Sequence, residues 1–156
     1  MEAVLNLVLY QPEIPPNTGN IARMCAAFNL NLHLIHPLGF RVDEKAIKRS
    51  GMDYWHMVEV REWESWDEFE EMLLAENAHF HLLTTKTDQS FYKANFKQKD
   101  YIIFGRETKG LPESLLQKYA ENCLTIPMSN AEARSLNLST AAAMVTAEAI
   151  RQLSHH

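Results

Sequence analysis

The strongest constraint on this chain is the alternation of short apolar runs with helix-forming stretches along its length. Val4–Tyr10 is apolar and β-prone and reads as a strand. Pro12, Pro15 and Pro16 interrupt regular structure after it. Asn17-Thr18-Gly19-Asn20 then offers caps for a helix reaching about Asn29, with Ile21, Met24, Cys25 and Phe28 on one stripe. Further strands are expected at Leu32–His36, His56–Val60, His79–Thr84, Tyr101–Phe104 and Cys123–Ile126. The intervening helices are a short basic one at Asp43–Ser50 and one capped by Ser65 that runs to about Asn77. A third starts at Pro112 and reaches about Tyr119, and the last, Leu138–Leu153, is Ala-rich. In the Ser65-capped helix, Trp66, Phe69, Met72 and Leu73 are expected to face inward, and Gln89–Asp100 reads as a polar, basic surface loop. Such alternation predicts an α/β fold, a mostly parallel sheet with helices on both faces. No repeat, low-complexity tract or linker interrupts it, so one domain over residues 1–154 is expected.

Composition narrows the class. A chain of 156 residues can bury about 68–70% of the surface its unfolded form exposes. No apolar run approaches the ~18–20 residues of a membrane span, and Met1-Glu2-Ala3-Val4 does not resemble a signal peptide. Cys25 and Cys123 cannot make a CxxC or a zinc quartet and are expected as reduced thiols of a cytoplasmic protein. His155 and His156 look like part of a purification tag and are given no role. The net charge is −5, yet eight acids lie between Glu59 and Glu76 against Arg61 alone, leaving 12 acids and 14 bases elsewhere. A charge-segregated surface can therefore accept RNA on one face.

Several common sites are excluded. None of the five glycines makes GxGxxG, and although Gly105 and Gly110 have P-loop spacing, Leu111 stands where the lysine belongs. There is no GxSxG. His79-x-His81 would share one strand face but shows no third ligand, so core or interface histidines are expected and no metal is.

Three polar clusters each follow a predicted strand. In Asn17-Thr18-Gly19-Asn20-Ile21-Ala22-Arg23, a helix start suits an anion and Arg23 offers a guanidinium fork; the same residues also read as a capped helix with a surface arginine. In Phe104-Gly105-Arg106-Glu107-Thr108-Lys109-Gly110-Leu111-Pro112, glycines permit close backbone approach around Glu107, or simply form a βα loop. Ile126-Pro127-Met128 and Ser135-Leu136-Asn137-Leu138-Ser139-Thr140-Ala141 bring Ser and Asn side chains to the mouth of the last helix, where N-capping explains them equally well. Three such clusters at strand ends could converge on one site.

Taken together, Asn-x-Gly-Asn-x-x-Arg, Phe-Gly-x-Glu-x-x-Gly-Leu and Ile-Pro-Met…Ser-Leu-Asn-Leu-Ser-x-Ala resemble the three motifs of the SPOUT RNA 2′-O-ribose methyltransferases, in order and spacing, from residue 17 to 141. Tyr10-Gln11-Pro12-Glu13-Ile14-Pro15-Pro16-Asn17 and the lack of an appended RNA-binding domain resemble the tRNA (cytidine/uridine-34)-2′-O-methyltransferase branch. Arg106 and Lys109 depart from that branch, which carries Pro and Arg there.

The resemblance implies a deep trefoil knot in the C-terminal part, which no sequence pattern would suggest. It implies methylation of the wobble ribose at position 34 of a tRNA by a homodimer, with S-adenosylmethionine as donor. The donor is then expected against Leu83, Thr84, Gly105, Glu107, Ile126, Met128, Ser135 and Leu136. Arg23 is implied as the catalytic residue, with Asn20, Glu107, Asn137 and Ser139 holding it and the ribose. A guanidinium is a poor base, so gripping a phosphate and orienting the 2′-OH is the gentler role. RNA contacts are expected from Arg41, Lys45, Lys48, Arg49, Lys86, Lys93, Lys97 and Lys99. The stripe Ala141, Ala142, Val145, Ala149 and Leu153 allows close helix approach in a dimer or within the chain. Alternatives are another RNA, such as a ribosomal RNA ribose, or a non-catalytic RNA-binding module.

Overall fold

The computed structural model describes residues 2–42 and 54–154. The expected basic helix at Asp43–Ser50, with Lys45, Lys48 and Arg49, and the pair His155 and His156 lie outside the described residues.

Six strands form one all-parallel sheet: β1 Asn6–Tyr10, β2 Asn31–Ile35, β3 Val60–Trp63, β4 Phe80–Leu83, β5 Tyr101–Phe104 and β6 Cys123–Leu124, in the order β3-β2-β1-β5-β4-β6. The described helices are α1 Pro15–Phe28, α2 Trp66–Ala75, α3 Glu113–Lys118 and α4 Leu138–Ser154. Alternating strand residues feed two cores. On one face Leu7, Leu9, Leu32, Leu34, Ile102 and Phe104 pack with Ile21, Ala22 and Cys25 of α1 and Ala142, Val145 and Ala149 of α4. On the other, Val8, Ile35 and Ile103 pack with Trp66, Phe69 and Leu73 of α2 and Leu115 and Leu116 of α3. The expected α/β sandwich, helices on both faces, is what forms.

A buried polar relay ties β3, β2 and β1 together. The Trp63 indole N–H donates to His33 Nδ1 at 3.0 Å, and His33 Nε2 lies 3.1 Å from Asn6 Oδ1, which also accepts from Asn31 Nδ2 at 3.1 Å. An indole nitrogen can only donate, so Nδ1 accepts and the His33 proton sits on Nε2. Burial and the Arg61 charge depress the His33 pKa to about 4.

Three local expectations are corrected. His56–Val60 is not a strand: Trp55–Met57 makes a 3₁₀ turn, and β3 begins at Val60 with Arg61 and Glu62 exposed, as an edge strand tolerates. The first helix begins at Pro15, with Ile14 at its N-cap and no side-chain cap, because proline fits the first turn, where its missing N–H is not needed. Asn17-Thr18-Gly19 therefore lies inside the helix and is buried. Gln89–Asp100 is not wholly a surface loop, since Phe91, Phe96 and Asp100 are buried. The small-residue stripe of the last helix is used within the chain: Ala142, Val145 and Ala149 are fully buried in the α1 side core.

Candidate active site

In a parallel sheet every strand ends at the same edge, and β1, β4, β5 and β6 deliver their following loops side by side. There a cleft of about 330 Å³ opens, lined by Leu83, Thr84, Gly105, Glu107, Ile126 and Leu136 among others. Its walls also include Leu138 and Ala141 of α4 and Thr108, Arg106 and Lys109 of the loop after β5. All eight residues expected around a donor line this one cleft.

The loop after β5 is a tight ribbon. Arg106 and Gly110 exchange backbone hydrogen bonds at 3.3 and 2.9 Å, and the Arg106 Nε–H also donates to the Gly110 carbonyl at 3.1 Å. Gly110 sits at φ +65, a conformation that favours glycine. A Cβ on Gly105 would lie 2.4 Å from the Gly110 carbonyl carbon and 2.5 Å from the Leu111 nitrogen, both backbone. Only bare backbone fits there.

The three sequence clusters meet through hydrogen bonds. The Glu107 carboxylate accepts from the Glu13 and Ile14 backbone N–H groups, each at 2.9 Å, and from Asn17 Nδ2 at 3.4 Å. Asn17 Oδ1 accepts from Asn137 Nδ2 at 3.1 Å. Asn137 Oδ1 in turn accepts from the Ser139 N–H at 2.9 Å, the Ser139 hydroxyl at 2.6 Å and the Thr140 N–H at 3.3 Å, capping α4. In return Glu13 accepts from the Thr108 N–H at 3.0 Å and the Thr108 hydroxyl at 2.9 Å. Those bonds hold the Glu13 carboxyl below its usual range, the Thr108 backbone bond first. Glu107 thus acts as a distant cap on the entry to α1: its carboxylate takes the N–H groups of Glu13 and of the N-cap residue Ile14, just ahead of Pro15, where the macrodipole favours negative charge.

Asn20 and Arg23 follow on α1 and are exposed. The Arg23 guanidinium lies over the Tyr54 ring, 4.8 Å from its centroid. Among the described residues Glu107, Asn137 and Ser139 bond one another's neighbourhoods and not Arg23. Asn17, Glu13 and Thr108 were the residues missed. The Asn17 side chain, which the sequence pattern offers as a cap, instead bridges Glu107 and Asn137 from inside α1. The Glu13–Thr108 pairing, across more than ninety positions, leaves no local signal.

The basic residues divide by strand end. Lys86, Arg106, Lys109 and Arg134 line the cleft, with Lys86 paired to Glu113 at 2.9 Å. Lys97 and Lys99 precede β5 and so stand at the opposite edge, where Lys99 pairs with Glu2 at 2.6 Å. The His79-x-His81 reading is amended there too: Asp100, distant in sequence, lies between the two imidazoles, 2.7 Å from His79 Nδ1 and 3.0 Å from His81 Nε2.

Residues 4–147 match the model of the SpoU rRNA Methylase family. A Listeria monocytogenes protein provisionally named a tRNA (cytidine(34)-2′-O)-methyltransferase is 49% identical over 150 residues, 94% of this chain and 87% of its own. A Yersinia pestis protein named tRNA (cytidine(34)-2′-O)-methyltransferase is 42% identical over 156 residues, 97% and 96% of the two chains. Among solved structures, one described as giving insight into 2-OH methylation of C/U34 on tRNA superposes with a TM-score of 0.89 at 45% identity, covering 96% of both chains. The fold is also shared with the Streptomyces viridochromogenes methyltransferase AviRb in complex with AdoMet, TM-score 0.83 at 24% identity, covering 98% of this chain and 62% of that one.

Proposed function

This chain belongs to the SpoU rRNA methylase family, and from that premise we propose that it transfers a methyl group from S-adenosylmethionine to the ribose 2′-OH of the tRNA wobble nucleotide at position 34, cytidine or modified uridine. The observation that carries the site assignment is the Glu107–Asn17–Asn137–Ser139 chain, which joins all three motifs at the cleft mouth.

The cleft fits such a donor. Its volume falls in the range of small-molecule pockets, roughly 300–1,000 Å³, and Leu83, Ile126, Leu138 and Ala141 offer apolar walls to a flat base. The bare backbone at Gly105 lets a ligand approach where a side chain has no room. When bound, S-adenosylmethionine supplies an electrophilic methyl on a sulfonium centre. Leu83, Thr84, Gly105, Glu107, Ile126, Met128, Ser135 and Leu136, which line the cleft, would hold it. Arg23 grips the phosphate beside the target ribose as a fork and orients the 2′-oxygen, with Asn20 alongside. The 2′-OH proton would pass to the neighbouring phosphate or to water, since the Arg23 guanidinium is too weak a base to take it. Glu107, Asn137 and Ser139 act through position: they fix the start of α1, on which Asn20 and Arg23 ride. Alignment of this kind can supply effective molarities of about 10⁵–10⁸ M. The transfer needs no metal, and the cleft lining carries no histidine or cysteine.

The working form is a cytoplasmic homodimer of one SPOUT domain over residues 1–154. Support comes from the large apolar side chains left exposed on the two adjoining helices, Ile14 beside α1, Phe28 in it and Met144 in α4. No helix among the described residues is long and apolar enough to cross a membrane. The C-terminal part is tied in a trefoil knot. That reading is supported by the segment after β4, which wraps the β6 strand: the Thr84 N–H donates to the Leu124 carbonyl, the Thr125 N–H to Gln89 and the Phe91 N–H to Thr125, at 3.0, 2.8 and 2.9 Å.

Mass spectrometry of tRNA nucleosides from a deletion strain tests the activity. Loss of one 2′-O-methyl nucleoside at position 34, restored by the gene, is the expected result. An intact position 34 with a lost ribosomal RNA methyl group, or no loss at all, overturns it. Light scattering near 18 kDa at micromolar concentration would contradict the dimer.

A further inference from the structure

We propose that His79, His81 and Asp100 form a binding site for a borderline transition-metal ion, Zn²⁺ by chemistry, at the sheet edge opposite the methyl-transfer cleft. Three facts combine. His79 and His81 flank Phe80, so both imidazoles fall on the same side of β4 while Phe80 enters the α2 side core. Asp100 directly precedes β5, the neighbour of β4, and its carboxylate is 1% exposed, one oxygen on each imidazole. One donor atom from each residue lies within 4.8 Å of the others.

The donor set is two imidazoles and a carboxylate, which Zn²⁺ accepts with a fourth position left for water. With bonds of about 2.0–2.2 Å, tetrahedral donors sit about 3.4 Å apart. To admit an ion, the 2.7 and 3.0 Å contacts open, and the widest donor pair, within 4.8 Å, closes. Each imidazole also moves its proton to the ring nitrogen facing away from Asp100. Outer bonds of the kind that orient ligands are in place: the Lys97 N–H donates to Asp100 Oδ2 at 2.9 Å, and the Phe96 ring packs on His81 at 4.8 Å. An entry path exists. His79 is 47% exposed, and it and Asp100 line a polar cavity with Glu2, Asn6, Glu76 and Tyr101. The role is structural. The ion would fasten β4 to the turn entering β5, at the strand ends remote from Gly105 and Thr84.

The test is titration of the full chain, carrying His155→Ala and His156→Ala to silence the terminal pair, with Zn²⁺ by calorimetry and with Co²⁺ by visible absorption. One ion per chain is expected, with tetrahedral Co²⁺ bands and a raised melting temperature. His79→Gln and His81→Gln should each weaken binding at least tenfold and abolish the metal-dependent rise. Metal-free melting and methyl transfer of His79→Gln, whose side chain is half-exposed, should match the parent, so a folding defect is distinguishable. Binding unchanged in both variants, or no binding at micromolar metal, overturns the proposal.

Discussion

Replacing Glu107 by glutamine is the sharpest probe of how the site is assembled. The carboxylate accepts two backbone N–H groups at 2.9 Å, from Glu13 and Ile14, and these residues have no other cap for the start of α1. Glutamine keeps the shape but offers one oxygen. One N–H retains a neutral acceptor, and the other then faces an NH₂ group. A hydrogen bond to a charged group contributes about 1.5–3 kcal/mol, and the pair is only partly buried, so the lower half of that range applies. Adding the weakened second bond gives a loss of about 2–3 kcal/mol. For a chain of this length that lowers the melting temperature by roughly 4–12 °C. Because α1 carries Asn20 and Arg23, single-turnover methyl transfer should fall more than tenfold, about 1.4 kcal/mol in barrier. Thermal and urea unfolding of the variant, with transfer measured below its melting point, make the check. A melting temperature within a degree of the parent, with unchanged transfer, would refute the claim that Glu107 acts as the distant cap of α1.

Gly105→Ala forces a Cβ to within 2.4 Å of the Gly110 backbone; donor affinity by calorimetry should drop at least tenfold, and unchanged affinity would mean the loop yields freely. Arg23→Ala should abolish transfer while donor binding stays near the parent value, and Arg23→Lys should rescue poorly because an ammonium lacks the planar fork; near-normal rates in Arg23→Ala would reduce Arg23 to a surface residue. His33, neutral in the fold with its pKa near 4 against an ordinary value of about 6.5, binds no proton where the unfolded chain does. Stability is therefore complete above about pH 6.5 and falls toward pH 4, by roughly 3 kcal/mol for this group. Urea unfolding of the parent and His33→Gln at pH 7 and pH 4.5 should show a shallower pH slope in the variant, and equal slopes would count against it.

The strands were legible where burial dominates. β1, β2, β4 and β5 are apolar runs because both faces are covered, and the sequence places them within two residues. β3 escaped because it is an edge strand whose Arg61 and Glu62 break the apolar pattern, while Met57-Val58 next door mimics one. That the residues expected around a donor line one cleft was legible because they sit in loops that directly follow strands. What joins the motifs was not: Glu107 to Glu13, Asn17 to Asn137 and Asp100 to His81 are pairings of tertiary structure, and a polar residue carries the same letter whether it caps its own helix or holds a distant one.

The last described helix has a consequence for how the protein is made. A ribosome releases β1 and α1, with Arg23 on it, first and α4 last. Yet Leu138 and Ala141 wall the cleft, Asn137 anchors Asn17, and Ala142, Val145 and Ala149 fill the core against α1. A nascent chain therefore emerges with Arg23 long before the cleft at the strand ends is walled in. Translation that stalls within the final twenty or so codons leaves one face of the sheet covered by α1 without its α4 neighbour, a product for proteolysis and not a half-active enzyme.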